Sequence, residues 1–184
     1  TVGYTVLVFG SLAMISEKNR KNFDLLRSTS ALTRTFCDLN LRSPLYTKET
    51  IEWCLERANY LKISDEEALT LGEIYDQGSD IPLILEWLKK EWDLLEVYCT
   101  LGAEGSISIL DDGLYECLFS ADSSMVIEDT VGAGDAFSAS LLYGMYFGTS
   151  RREVIPKAHA FAASMCTIPG AIPEDMAVYS ILRD

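Results

Sequence analysis

The chain has 184 residues, enough for one domain with its own core, and its composition (48% hydrophobic, 23% charged, no low-complexity tract) is that of a soluble globular protein. A net charge of −13, from 28 acids against 15 bases, argues against nucleic-acid and anionic-membrane partners, both of which need a basic face, and otherwise serves solubility. Five scattered cysteines (Cys37, Cys54, Cys99, Cys117, Cys166), never spaced C-x-x-C, read as small buried hydrophobes in a reducing compartment, and the single histidine, His159, weakens any metal-site or Ser-His-Asp reading.

The opening TVGYTVLVFGSLAMIS is apolar but lacks a basic n-region and a clear cleavage site, and no run reaches the ~18 consecutive apolar residues of a membrane span. The expectation is a cytoplasmic protein. Residues 5–10, TVLVFG, predict a buried strand ending at glycine. A core strand so close to Thr1 suggests that residues are missing ahead of it. Residues 16–34 predict an amphipathic helix with Phe23, Leu25, Leu26 and Leu32 as its apolar positions, and TFCDLN (35–40) a second strand. After a turn at Pro44 comes a helix over 47–58 with Ile51, Leu55 and Ala58 on one face.

YLKI (60–63) predicts a third strand, running into SDEEALTL, where Ser64 and Glu67 have capping-box spacing for another helix. A helix over 80–91 follows Gly78-Ser79, then a strand over 94–102 and a hairpin over 106–119 around Asp112-Gly113. A helix from Ala133 to Phe147 and one over 151–165, opened by a second capping box at Ser150 and Glu153, complete the pattern. Strands alternating with helices, without repeat or linker, imply a single α/β domain over 1–184 with a largely parallel sheet. In such sheets ligands bind beyond the carboxyl ends of the strands.

The stretch DTVGAGDAF (129–137) carries the chemistry. Gly132, Ala133 and Gly134 offer consecutive, unobstructed N–H groups at a helix start, an anion hole reinforced by the helix dipole. There is no G-x-x-x-x-G-K-[ST], and Phe137 stands where a dinucleotide fingerprint needs its third glycine, so neither a Walker loop nor a dinucleotide-dependent oxidoreductase fits. A carboxylate at Asp135 would repel a resident phosphate. It makes sense if the anion is in transit and Asp135 is the base that prepares its acceptor. An acid in a first helical turn is also favourable by itself, so an ordinary helix start stays open on the short motif alone.

The longer string D-T-V-G-A-G-D (129–135) resembles D-T-x-G-A-G-D, the C-terminal signature of the PfkB, or ribokinase-like, carbohydrate kinases. FCDLNLR (36–42) is similar to the D-x-N-x-R segment of fructokinase-like members. NYLKISDEEALTL (59–71) resembles their lysine-containing N-x-x-E stretch, and CTLGAEGS (99–106) their T-x-G-x-x-G nucleotide turn. AHAFAASMCTIPGAI (158–172) resembles the closing helix, and the match is collinear along the chain.

This resemblance implies a ribokinase-like three-layer α/β/α fold and an ATP-dependent kinase acting on a sugar hydroxymethyl group, closest to fructokinases. Asp135 matches the general base; Gly132, Ala133 and Gly134 match the hole for the γ-phosphoryl; Arg42 matches an arginine facing the phosphates or the sugar. Thr100, Gly102 and Gly105 match the turn beside the nucleotide. Asp129 and the backbone near Val131 match a site for a monovalent cation such as K⁺, with a structural loop acid as the competing reading of Asp129. Ser64 and Glu67 occupy the N-x-x-E positions that organise Mg²⁺ and phosphates through water, with serine replacing asparagine and helix capping as the competing reading. His159 stands where many relatives carry asparagine near the adenine, and a packed histidine is the competing reading there.

The family's N-terminal sugar-binding half, with its lid, has no counterpart here, so the chain is expected to be the C-terminal, ATP-binding part of a longer kinase. Relatives often dimerise through their lids, which makes a homodimer of the full-length protein an implied partner. A non-catalytic, nucleotide-binding or regulatory protein on the same fold is the alternative; the serine at 64 and the absent sugar half permit it, while retention of Asp135 and the whole glycine turn argues against it.

Overall fold

The computed structural model describes residues 5–29, 31, 33–120, 126–170, 172–173 and 175–182. The element order is β1 (Thr5–Phe9), α1 (Glu17–Ser28), β2 (Thr33–Asp38), α2 (Lys48–Leu55), β3 (Tyr60–Ser64), α3 (Asp65–Ile74), α4 (Ile81–Glu91), β4 (Glu96–Thr100), β5 (Gly105–Leu110), β6 (Gly113–Leu118), α5 (Ala133–Phe147) and α6 (Arg151–Met165). Short 3₁₀ turns cover Ala13–Ile15, Gly102–Glu104 and Met176–Leu182. The strands form one mixed α/β sheet in sequence order, parallel from β1 to β4 and antiparallel between β4 and β5.

Where the sequence suggests one domain, the contacts divide the chain into two compact units. The larger holds Gly3–Gly102 and Ser106–Glu116; the other holds Ala103–Gly105 and Cys117–Asp184.

In the larger unit, each crossover from β1 to β4 moves one strand in the same direction. Right-handed connections then put their helices on one face of the sheet. One apolar cluster agrees with this: Phe23 of α1, Ile51 and Leu55 of α2, Leu71 of α3 and Leu85 of α4 pack with Cys37, Leu61, Ile63, Val97 and Cys99 of the strands. Side chains alternate along a strand, so Phe36, Lys62 and Tyr98 point to the other face, where the fully buried Phe36 and Tyr98 rings stack at 6.5 Å. The helix starts are set by side-chain caps: Ser16 accepts from Asn19 N–H, Thr47 from Thr50 N–H and Asp80 from Leu83 N–H.

In the second unit α5 packs on α6 closely enough that a Cβ on Gly144 would lie 2.3 Å from Val154 Cγ2. Ala136, Phe161 and Met165 form its core with Tyr179 and Leu182 of the C-terminal 3₁₀ turn.

Four expectations need correction. Among the described residues β1 lies at the edge of the sheet, with Val8 54% exposed, where a buried strand was expected. The first helix ends at Ser28, Leu25 and Leu26 are exposed, and β2 already begins at Thr33; Leu32 lies outside the described residues. The strand expected over 94–102 is shorter, Glu96–Thr100. The second capping box does not form: Ser150 makes no side-chain cap, and Glu153 instead lies 3.6 Å from Lys157 one turn on.

Candidate active site

In the larger unit, the resembling segments follow adjacent carboxyl ends. Asp38 ends β2, Ser64 ends β3 and Thr100 ends β4, with Asp38 opposite Lys62 and Ser64 opposite Thr100 in register. Arg42, Ser64, Glu67, Thr100 and Gly102 therefore all sit at, or just beyond, the end of the parallel strands where α/β folds bind ligands.

The loop after β2 is tied down on several sides. Leu39 N–H donates to the Lys62 carbonyl at 3.1 Å, and Ser11 N–H donates to the Leu39 carbonyl at 3.0 Å. Ser11 Oγ donates to the Asn40 carbonyl at 3.2 Å, with Asn40 in the left-handed region at φ 47°. Leu41 N–H donates to Glu67 Oε1. Arg42 follows with an exposed side chain, and its carbonyl accepts from Leu45 N–H at 2.6 Å.

Ser64 and Glu67 form the capping box. Glu67 N–H donates to Ser64 Oγ at 3.2 Å and Ser64 N–H to Glu67 Oε2 at 2.8 Å. Burial pushes the Glu67 carboxyl above its ordinary range, opposed by the Ser64 and Leu41 N–H groups and the positive charge of Lys62. Each Glu67 oxygen thus accepts one backbone N–H and retains one lone pair for a water, as a water-bridged contact to Mg²⁺ bound on ATP would require. Among the described residues no group of three or more His, Cys, Asp or Glu could hold a metal ion.

Reasoning from sequence passed over one pair. Lys62, 7% exposed, places Nζ 3.1 Å and 3.4 Å from the two Asp38 oxygens. The signal was a lysine inside the otherwise apolar YLKI, at a buried-strand position where a charge needs a partner. Thr100 Oγ1 donates to the Ile63 carbonyl at 3.4 Å, and Gly102 opens the 3₁₀ turn beyond β4.

The second unit holds the signature. Gly132 is the N-cap of α5 at φ 87°, a left-handed conformation that suits glycine, and no side chain caps the helix. Ala136 N–H already reaches the Gly132 carbonyl at 2.8 Å, and Ala133 N–H bonds the Thr130 carbonyl at 3.3 Å. The N–H groups of Gly134 and Asp135 belong to the first turn, where the helix offers them no carbonyl, and the Asp135 side chain is exposed. The approach is a short turn: Asp129 Oδ1 accepts Val131 N–H at 2.9 Å, and Asp129 N–H donates to the Cys166 carbonyl at 3.3 Å. Asp129 Oδ2 and the Val131 carbonyl, which these bonds leave untouched, are among the oxygens this turn could offer a monovalent cation.

His159 lies inside this unit, 5% exposed, between Phe119 at 5.4 Å and Phe137 at 4.8 Å, and burial lowers its pKa to about 4. Gly105 is held at φ 117°, with the Cys117 carbonyl oxygen only 1.9 Å from where a Cβ would stand. That geometry requires glycine for packing alone. Ala171, in the closing resemblance, lies outside the described residues.

The chain is 29% identical over 188 residues to a fructokinase-2 of Zea mays, covering 91% of this chain and 52% of that protein. It is 26% identical over 159 residues to a 2-dehydro-3-deoxygalactonokinase of Haloferax volcanii, covering 84% and 46%. The chain spans about half the length of the curated relatives it matches. Its fold resembles a fructokinase from Vibrio cholerae O395 solved with fructose, ADP and calcium ion (TM-score 0.78, 24% identity, 99% of this chain and 62% of that one). It also resembles an aminoimidazole riboside kinase from Salmonella enterica (TM-score 0.76, 23% identity, 98% and 63%). The pfkB family carbohydrate kinase model matches residues 4–176, and the chain belongs to that family.

Proposed function

We propose that this chain is the nucleotide-binding and catalytic part of a sugar kinase that transfers the γ-phosphoryl of Mg·ATP to a sugar hydroxymethyl group, with fructose or a related ketose as acceptor. The observation that carries the reading is the uncapped start of α5. Gly132 turns the chain, the N–H groups of Gly134 and Asp135 lack carbonyl partners in the helix, and the Asp135 carboxylate is exposed in the same turn.

In this reading Asp135 removes the proton of the attacking hydroxyl as its oxygen bonds to the γ-phosphorus, and the bond to ADP breaks. Of the Gly132, Ala133 and Gly134 N–H groups expected to form the hole, that of Ala133 is already held by the Thr130 carbonyl, so those of Gly132 and Gly134, joined by Asp135 N–H and the helix dipole, stabilise charge on the transferring group. Arg42 pairs with phosphate oxygens through its guanidinium. Thr100, Gly102 and Gly105 shape the turn beside the nucleotide, and Ser64 and Glu67 act on its metal through water. His159 contributes the inner wall on the adenine side rather than an exposed stacking face. A monovalent cation such as K⁺ near Asp129 and Val131 orders the signature loop. Cytoplasmic location, and a homodimer of the full-length protein, belong to this reading through the resemblance alone. Among the described residues no helix is long and apolar enough to cross a membrane.

The test is ADP release by the full-length enzyme with Mg·ATP and a panel of fructose, ribose, 2-keto-3-deoxygluconate and 2-dehydro-3-deoxygalactonate. Turnover on one acceptor, reduced in Asp135→Asn by about 10²- to 10⁴-fold with ATP binding retained, is the expected result. ATP binding without turnover on any acceptor would favour a regulatory protein on the kinase fold.

A further inference from the structure

A capping box uses one acceptor atom of its N3 residue, the one that takes the N-cap N–H. Glu67 meets that need with Oε2 on Ser64 N–H. Its other oxygen reaches 26 residues back in the chain, to Leu41 N–H in the loop between β2 and α2. Nothing in capping α3 calls for this second bond. Leu41 immediately precedes Arg42, whose carbonyl is held from the other side by Leu45 N–H at 2.6 Å. The Arg42 main chain is therefore bracketed by two hydrogen bonds while its side chain is exposed. Upstream, the buried Leu39 is tied to Lys62 and Ser11, so the Glu67 bond completes the fixing of residues 39–42.

We infer that Glu67 is a positioning residue: its Oε1 holds the Leu41 N–H and thereby fixes the loop from which Arg42 meets the phosphates. This rests on the kinase reading for the role of Arg42, but the clamp itself can be tested without turnover. The charge of Lys62, beside Asp38 and felt by Glu67, helps retain a carboxylate with two acceptor oxygens at this place.

Glu67→Gln separates clamp from cap. Glutamine is also a capping-box residue at N3, so its carbonyl oxygen can keep Ser64 N–H while its NH₂, a donor, faces the Leu41 donor. Glu67→Asp retains the charge but is one methylene shorter, and tests reach. Amide hydrogen exchange on the full chain is expected to show Leu41 exchanging about tenfold faster in both variants, as for loss of one hydrogen bond to a charged acceptor. The amides of β3 and β4 stay protected, which reports a folded core.

In the full-length enzyme, Glu67→Gln is expected to lower kcat/KM for ATP by about 10- to 100-fold, as loss of a supporting contact typically does. In an Arg42→Ala background the same change should cost about fivefold less, because the group it positions is gone and only the water-mediated contact to the metal remains to be lost. Leu41 protection that survives Glu67→Gln, an Arg42→Ala variant with full activity, or a Glu67→Gln loss undiminished in that background overturns the inference. Failure of the kinase reading shows separately, as ATP binding by the unaltered enzyme without turnover on any acceptor, and leaves the exchange result intact.

Discussion

Asp38 and Lys62 stand opposite each other in the register of β2 and β3, and Lys62 Nζ lies 3.1 Å from Asp38 Oδ1 with side chains only 9% and 14% exposed for Lys62 and Asp38. A buried pair of this kind matters most when one partner is removed, because the other is left as an uncompensated charge. Lys62→Met is therefore expected to destabilise the chain by about 3–5 kcal/mol in urea unfolding. Asp38→Asn with Lys62→Met together should recover part of the loss. Equal loss in the single and double variants would mean that packing of the lysine stem, not charge pairing, sets the cost.

Gly105 belongs to the turn that resembles a nucleotide loop, yet its backbone geometry explains the glycine without any ligand. A methyl there would meet the Cys117 carbonyl oxygen at 1.9 Å and Phe119 N at 2.9 Å, at a φ of 117°. Gly113 has a similar φ of 109° but open space around it. Gly105→Ala should cost about 3 kcal/mol or more, from strain and clash together, and Gly113→Ala about 1 kcal/mol, from strain alone. Thermal unfolding of the two variants measures the difference, and similar melting shifts would show that the backbone around Gly105 relaxes.

Local signals carried much of the architecture. The helix Ala133–Phe147 follows from a glycine turn ahead of an apolar run, and α2, α3 and α4 begin one residue after Thr47, Ser64 and Asp80, residues suited to capping. Features set by distant pairing were harder to read. An apolar run such as TVLVF looks the same in the middle of a sheet as at its edge, where β1 lies. The Asp38–Lys62 pair depends on the β2–β3 register, and neither segment specifies that register alone. Ser28 and Thr29 close α1 by bonding back to the Leu25 and Leu26 carbonyls, while the apolar residues beyond them let the helical pattern be read too far. The C-terminal 3₁₀ turn, Met176–Leu182, has no periodicity that could have announced it.

Two identical spacings with different outcomes give a direct test of capping. Ser64 accepts Glu67 N–H at 3.2 Å, whereas Ser150 makes no side-chain cap. Ser64→Ala is expected to lower stability by about 1 kcal/mol, and Ser150→Ala by only a few tenths. Chemical denaturation of both variants resolves this. A loss at Ser150 as large as at Ser64 would show that the second box forms in solution after all.

His159 makes stability depend on pH in a direction fixed by its burial. Packed between Phe119 and Phe137, it has a folded pKa lowered to about 4, against about 6.5 for an unperturbed histidine. Between these values the unfolded chain takes up a proton that the folded chain refuses, so ΔG of unfolding falls as pH drops through this window. Above about pH 6.5 both states are neutral here and the effect vanishes; below about pH 4 both are protonated and it levels off. The full span corresponds to about 3 kcal/mol. His159→Gln, which cannot titrate, should flatten this part of the curve while costing some packing at every pH. Urea unfolding at pH 7 and pH 5 for both proteins measures it: an equal drop in the two would place the proton uptake on carboxylates and show that His159 charges without leaving its aromatic seat.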